Sequence, residues 1–467
     1  MKCPPVATEQ THSPAHWNPY QPTEQTPWNL RRVVHLHRRA GFAATWGEIQ
    51  RDLVDGPEAS IERVLSGSPR TESAVDDFDA MARIIADAAV RSKQPDRLKA
   101  WWMYRMLFTP HPLTEKMTLL WHNHFATSNR KLDDLSLMRR QNDLFRTHAL
   151  APFGQLLHAV VHDPALLLWL DAPANHKGHP NENLARELLE LFTLGIGHYD
   201  ETDVKEAARA LTGWTVTDDE FEYRPDFHDE SEKDILGQKR SWDGDQLLEL
   251  LLDQPATAHR LAGRLCQQFL GEGVAEAKHI DSLAEGLQAH DLDIAWGVEN
   301  ILRSELFFSD ENIRYRVAEP AEFIVGAIRA LELSEPPPRT IILADWMTRL
   351  GQDLFYPPNV GGWNGGRDWL RTGALISRSN VAVGLSRGQI SASQSPPNWE
   401  VFAAKHGCSA KREEFVSFLA DLLFGGEPTA GWIDGIVQVV TSKSNTPGTS
   451  LQEAVATVLA SPEAQLN

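Results

Sequence analysis

Apolar positions along this chain recur mostly at spacings of three and four, the period of one helix face. Over 113–125 the stripe Leu113, Met117, Leu120 and Trp121 takes in His124, whereas His122, about 200° further round, points to the other side. The pattern over 79–108 predicts a long helix broken near Pro95, and its end, with Trp101, Trp102, Met106, Leu107 and Phe108, reads as core. Shorter helices are predicted over 46–53 and 60–65, with Gly56-Pro57 and Gly67-Ser68-Pro69 as stops, and then over 133–147, 153–161 and 164–171. Further helical patterns fill 244–252, 257–269, 275–290, 293–303, 320–331 and 339–350. Alternation of the strand type occurs only at 215–217 and 221–223, on either side of Asp218-Asp219-Glu220. The expected class is therefore mainly α, a multi-helical globular body with one small β-hairpin.

The same pattern divides the chain. Residues 1–27 read as an irregular, Pro-rich N-terminal arm, 28–390 as a main helical domain carrying the candidate site, 391–398 as a linker, and 399–467 as C-terminal helices packing on the main body. Arg38-Arg39 reads as the solvated end of a helix.

One short helix, 181–194, stands out. Asn183, Arg186, Glu187, Glu190 and Thr193 fall on one side of it and Leu184, Leu188, Leu191 and Phe192 on the other, which separates a chemical face from a packing face. Asn181 is placed to cap its start, and Gly195 and Gly197 end it. Asp203 and Glu206 then resemble a capping box for the next helix.

Composition narrows the function classes. The 467 residues carry a net charge of −19 on 23% charged and 42% hydrophobic positions, which is globular and argues against general nucleic-acid binding. Three scattered cysteines, Cys3, Cys266 and Cys408, have neither disulfide-framework nor metal-cage spacing. The start of the chain is polar, and no uninterrupted apolar run of about 18 residues occurs, so no membrane span is expected. The expected location is cytoplasmic as the sequence stands, and exported if a signal segment has been removed. Fifteen Trp against six Tyr call for either core packing or an aromatic-lined ligand site.

Candidate chemistry gathers around the short helix. Glu187 and Glu190, with Arg186 and Asp171, form a candidate catalytic set, since paired carboxylates can divide into acid and base when burial separates their pKa values. The same acids could hold a divalent metal with His124, His228 and Asp229. His122 and His124 at i,i+2 diverge on a helix, so they do not form a joint pair. Arg186 to Glu190 is equally an ordinary i,i+4 ion pair. Asn181 and Asn183 are candidate substrate-binding residues, as are Asn359, Trp363, Arg367 and Trp369 in the loop Pro357-Pro358-Asn359-Val360-Gly361-Gly362-Trp363-Asn364-Gly365-Gly366-Arg367-Asp368-Trp369. There two indoles either plug the core or offer a platform for a sugar ring.

Several ordered motifs carry a resemblance. Trp121-His122-Asn123-His124-Phe125, Asn181-Glu182-Asn183 with Arg186-Glu187-Leu188-Leu189-Glu190-Leu191, Ala208-Arg209-Ala210-Leu211-Thr212-Gly213-Trp214, His228-Asp229 with Lys233 and Leu236-Gly237, and Pro357-Pro358-Asn359-Val360 with Gly362-Trp363 resemble the bacterial domain of unknown function 1800 family, from about Arg38 to Glu463. Ser231 stands where that pattern has Gly, and the export signal of many relatives is missing. The resemblance implies envelope or extracellular polymer chemistry and a partner protein of the sulfatase-like or phosphatase-like class. Two expectations follow: a metal-dependent or carboxylate-based enzyme, a hydrolase on a polymer or glycan-like substrate, or else a non-catalytic binding or assembly protein with a Trp-rich ligand or partner surface.

Overall fold

Twenty-two α-helices and four short strands succeed one another in residues 16–67, 72–392, 395–443 and 447–467, which the computed structural model describes. Cys3 lies outside the described residues. Two apolar clusters form the interior. One is built mainly from the helices between Phe153–Val161 and Ile294–Arg303, the other from Pro95–Phe108, Pro320–Ala330 and the helices after Thr340–Arg349. Helices Leu30–Ala40 and Pro112–His124 feed both, with Leu36, Ala40, Met117 and Trp121 in the first and Val33, Val34 and Leu119 in the second.

Pro112–His124 is accordingly buried on every side, and its polar residues are part of the interior. Glu115 accepts hydrogen bonds from Arg105, Arg146 and the Trp102 indole, and although burial pushes its carboxyl up, the two guanidinium groups bring it down to about 2. Lys116 Nζ lies 2.6 Å from Glu322 and donates to the carbonyls of Arg38 and Gly41. His122 does not reach solvent on its side of the helix: it packs among Trp102, Phe355 and Trp363 of the second cluster and Phe145 of the first. Nor is Arg38-Arg39 a solvated end. Arg39 is fully buried and donates to the carbonyls of Phe269, Asn312 and Asn467, while Arg38 donates to those of Leu423 and Leu466. A guanidinium has five donors in a planar fork, enough to gather carbonyls from several chain segments at one buried point.

Glycine and proline act where the sequence places them. Trp46–Ser66 is kinked at Gly56, which takes φ 84°, and the long pattern divides into Glu72–Ser92 and Pro95–Phe108, with Pro95 in a first turn where its missing N–H is harmless. In the arm, the described residues 16–27 contain no helix, yet Trp17 is buried and its indole donates to His279 O at 3.0 Å.

The expected hairpin is β1 (Trp214–Thr217) paired antiparallel with β2 (Glu220–Tyr223), Trp214 opposite Tyr223. A second one is present, β3 (Lys233–Ile235) with β4 (Gln238–Arg240). Its strands are too short to show alternation. It is held instead by Asp203, which accepts from Leu236 N–H at 2.7 Å, and by buried Lys233, whose ammonium donates to the carbonyls of Asp229, Ser231 and Trp242.

Candidate functional site

The loop into the central helix is fixed from below. The buried Asn175 side chain donates to Ala208 O at 2.8 Å and accepts the Asn181 N–H at 2.9 Å. Asn181 in turn accepts the Asn183 N–H at 3.0 Å from one position before the N-cap, which is Glu182 and not Asn181, and whose side chain makes no capping bond. The helix then changes type, from α over Asn183–Glu187 to π over Leu188–Thr193, with the Leu194 N–H reaching Leu189 O at 2.9 Å. A π turn holds an extra residue and shifts the phase of everything after it. The inward face becomes Leu184, Ala185, Leu188, Leu189, Phe192 and Thr193. Leu191, expected to be buried, is partly exposed, and Thr193, expected on the chemical face, is buried with its hydroxyl donating to Leu188 O at 2.6 Å.

The outward face carries the carboxylates, both half-buried. Glu190 accepts from the Tyr199 hydroxyl at 2.7 Å, and burial together with this carboxylate pushes the Tyr199 phenol up to about 12. The positive charge of Arg260 acts on the same carboxylate, while its Nε donates to Leu191 O at 2.7 Å. Among the described residues Glu187 has no hydrogen-bond or ion-pair partner, and burial and the charge of Glu190 raise its pKa. Arg186 does not pair with Glu190: its fork grips Glu201 with two bonds of 2.8 Å and Glu182 with one of 2.9 Å. Asp171, in a left-handed backbone conformation with φ 59°, accepts from Lys131 at 2.6 Å and from Asn183 at 3.3 Å. Asp171 and Asn183 thus meet directly.

The histidines lie on other parts of the framework. His124 Nε2 is 3.2 Å from Phe192 O, so it touches the backbone of the π turn, and burial first, then Arg264 and Arg260, holds its pKa well below the ordinary value. His228 Nδ1 is 2.9 Å from Thr212 O. Asp229 accepts from Arg209 at 2.8 Å and from the N–H and hydroxyl of Ser231, and these bonds outweigh burial and keep its carboxyl well below the usual range. Neither His124 nor His228 hydrogen-bonds Glu187 or Glu190, and Asp229 belongs to a knot that ties the end of helix Glu201–Ala210 to β3. That helix is capped by Asp200 with Asp203 answering, three residues earlier than the spacing suggests, because Glu206 is taken by Arg209 and the Asp234 N–H.

In the glycine-rich loop, Trp363 is 6% and Trp369 5% exposed, both inside the second apolar cluster, so the loop is a core plug. Asn123 accepts the Trp363 N–H at 2.7 Å and fastens the loop to the end of Pro112–His124. Asn359 closes its own turn by accepting the Gly361 N–H at 2.9 Å, whereas Arg367 is exposed. The loop and the central helix therefore each keep their own contacts. A cavity of about 230 Å³ lies elsewhere, against Leu333, Pro336, Leu385 and Ile390.

Tyr199, Arg260 and Lys131 complete the surroundings of the carboxylates and were not singled out from sequence. Tyr199 follows the glycines that end the helix, a turn signal that could have drawn attention to it; Arg260 and Lys131 arrive from distant helices and leave no local signal.

The family described as "Protein of unknown function (DUF1800)" matches residues 35–466, nearly the whole chain, and the protein belongs to that family. No curated protein and no solved structure matches it.

Proposed function

We propose that the protein is a carboxylate-dependent hydrolase acting on a polymer or glycan-like substrate at the outward face of the central helix. The reading rests on one observation: Glu187 is half-buried, unpaired among the described residues and raised in pKa beside Glu190, which is held by Tyr199. Two carboxyl groups in unlike surroundings are what acid–base hydrolysis requires. Cleavage of a C–O bond places the hydroxyl of water on carbon and a proton on the departing oxygen; Glu187 supplies that proton, and Glu190 receives the one water loses. Asp171 and Asn183, joined to each other beside this face, position a hydroxyl-bearing substrate. His124 and His228 engage backbone carbonyls and Asp229 engages Arg209 and Ser231, so the carboxylate form of the proposal is preferred to a metal-dependent form built on those three residues. With Trp363 and Trp369 in the core, no observation favours the binding-protein alternative.

The test has two arms. In a panel of chromogenic glycosides and esters, the protein turns over at least one member and Glu187→Gln lowers that rate by about 10²–10⁴-fold; a variant as fast as the parent, or a parent inert on every member, overturns the proposal. Carboxyl-resolved NMR titration reads Glu187 above the ordinary glutamate value. An unshifted titration removes the premise.

A further inference from the structure

We infer that His158, His162 and Asp245, on the surface between two antiparallel helices, form a binding site for a divalent transition-metal ion of the zinc class. The site is separate from the Glu187 face and does not depend on its chemistry.

Phe153–Val161, with His162 as its helical C-cap, and Gly244–Leu252 run past each other so that Gly154 meets Leu252, His158 meets Glu249 and His162 meets Asp245. Two histidines at i,i+4 thus face two acids at i,i+4. That is the spacing at which one helix face presents two imidazoles to a single ion. The three candidate ligand atoms all lie within 4.8 Å of one another. Asp245 Oδ1 stands 3.3 Å from His162 Nε2 and 4.0 Å from His158 Nδ1. Two ligands bound tetrahedrally at about 2.0–2.1 Å from zinc are about 3.3 Å apart, so the site needs only a small closing movement of His158.

The outer contacts set which ring nitrogen faces Asp245. His162 Nδ1 lies 2.7 Å from His158 O, an acceptor, and donates to it, so Nε2 is the ring nitrogen turned toward Asp245. His158 Nε2 lies 2.9 Å from Glu249 and donates to it, so Nδ1 is the ring nitrogen turned toward the same oxygen of Asp245. Metal-binding histidines are oriented in this way, through the second ring nitrogen, by a carbonyl or a carboxylate. A proton on a ring nitrogen turned to Asp245 makes an ion pair there, and a metal ion in place of the proton would be met by both ring nitrogens and the carboxylate oxygen. Two imidazoles with one carboxylate suit zinc, nickel or copper better than magnesium or calcium.

The site is also held in place. The His162 ring sits 4.6 Å from that of Trp214 and 4.5 Å from that of Phe221, both on the β1–β2 hairpin. Gly244 lies so close to the Trp214 indole that a Cβ there would come within 2.1 Å of it. One indole therefore sets both the ring of His162 and the start of the helix that presents Asp245, which gives Trp214 in the Thr212-Gly213-Trp214 motif a role the hydrolase proposal leaves empty.

Zinc alone, titrated into the metal-stripped full chain in competition with a chromophoric chelator, is the test. One equivalent should bind, His162→Gln and Asp245→Asn should each weaken it more than about 10-fold, and Glu249→Gln should weaken it by about 10-fold through loss of orientation. Magnesium in excess should not compete. All four side chains are at the surface, and unchanged circular dichroism verifies each variant's fold. Absence of a stoichiometric equivalent, or one that survives the double change His158→Gln and His162→Gln, overturns the inference.

Discussion

Trp363 and His122 touch in the interior, their rings 5.6 Å apart, and each has a measurable consequence. Trp363→Ala removes a buried indole and should lower unfolding free energy by about 3–5 kcal/mol in urea titration; a change below about 1 kcal/mol would contradict the plug assignment. His122 is governed by burial, which lowers its pKa from 6.5 to about 3. The unfolded chain takes up this proton near 6.5 and the folded one only near 3, so the stability present above 6.5 is lost as pH falls through that window. The loss approaches about 1.4 kcal/mol per pH unit for such a group. His35 and His124 are shifted in the same direction by burial and add to the slope. Between pH 6 and 4 the urea midpoint should fall, and His122→Phe should flatten the fall relative to its own value at pH 7. An identical slope in parent and variant would exclude this cause.

At the scale of elements, the loop depends on Gly362 as much as on its indoles. Gly362 has φ 77°, and a Cβ there would lie 2.2 Å from Asn123 Oδ1, the atom that accepts the Trp363 N–H. Gly362→Ala should cost at least about 1 kcal/mol, because it combines a left-handed conformation with a clash against backbone and amide. Thermal denaturation reads this directly, and a neutral substitution would mean that the loop is not fastened at Asn123. The central helix gives the complementary case: no residue in it announces the π turn, whose bond from the Leu194 N–H to Leu189 O belongs to the folded backbone. Periodicity located that helix and its two faces, yet misassigned Leu191 and Thr193 by the one residue the turn absorbs.

For the whole molecule, the ionic groups of Pro112–His124 lie where the two apolar clusters adjoin. Lys116 is buried against Glu322, and Arg316 pairs with the same carboxylate. Replacing Lys116 takes one of two cations from Glu322, which keeps Arg316, and leaves the carbonyls of Arg38 and Gly41 without their donor, a loss of about 1–3 kcal/mol. Lys116→Met should therefore lower the unfolding midpoint, with tryptophan fluorescence and circular dichroism moving together because the helix feeds both clusters. Fluorescence and dichroism that separate, or a midpoint that stays in place, would count against a shared junction. Among the described residues no helix is long and apolar enough to cross a membrane.

Sequence alone determined the helical class, most helix positions, the β1–β2 hairpin and the family motifs, because these follow from local periodicity, glycine and proline chemistry and ordered residue strings. Tertiary structure decided which polar residues are interior. Arg39, Glu115 and Lys116 look solvated in a linear pattern, since the carbonyls and charges that satisfy them come from segments far along the chain. The carboxylates were legible as a pair on one helix face, whereas the unequal surroundings of Glu187 and Glu190 depend on Tyr199 and Arg260. His158 and His162 show the i,i+4 spacing in the sequence, but a spacing acquires a third ligand only when packing brings Gly244–Leu252 alongside.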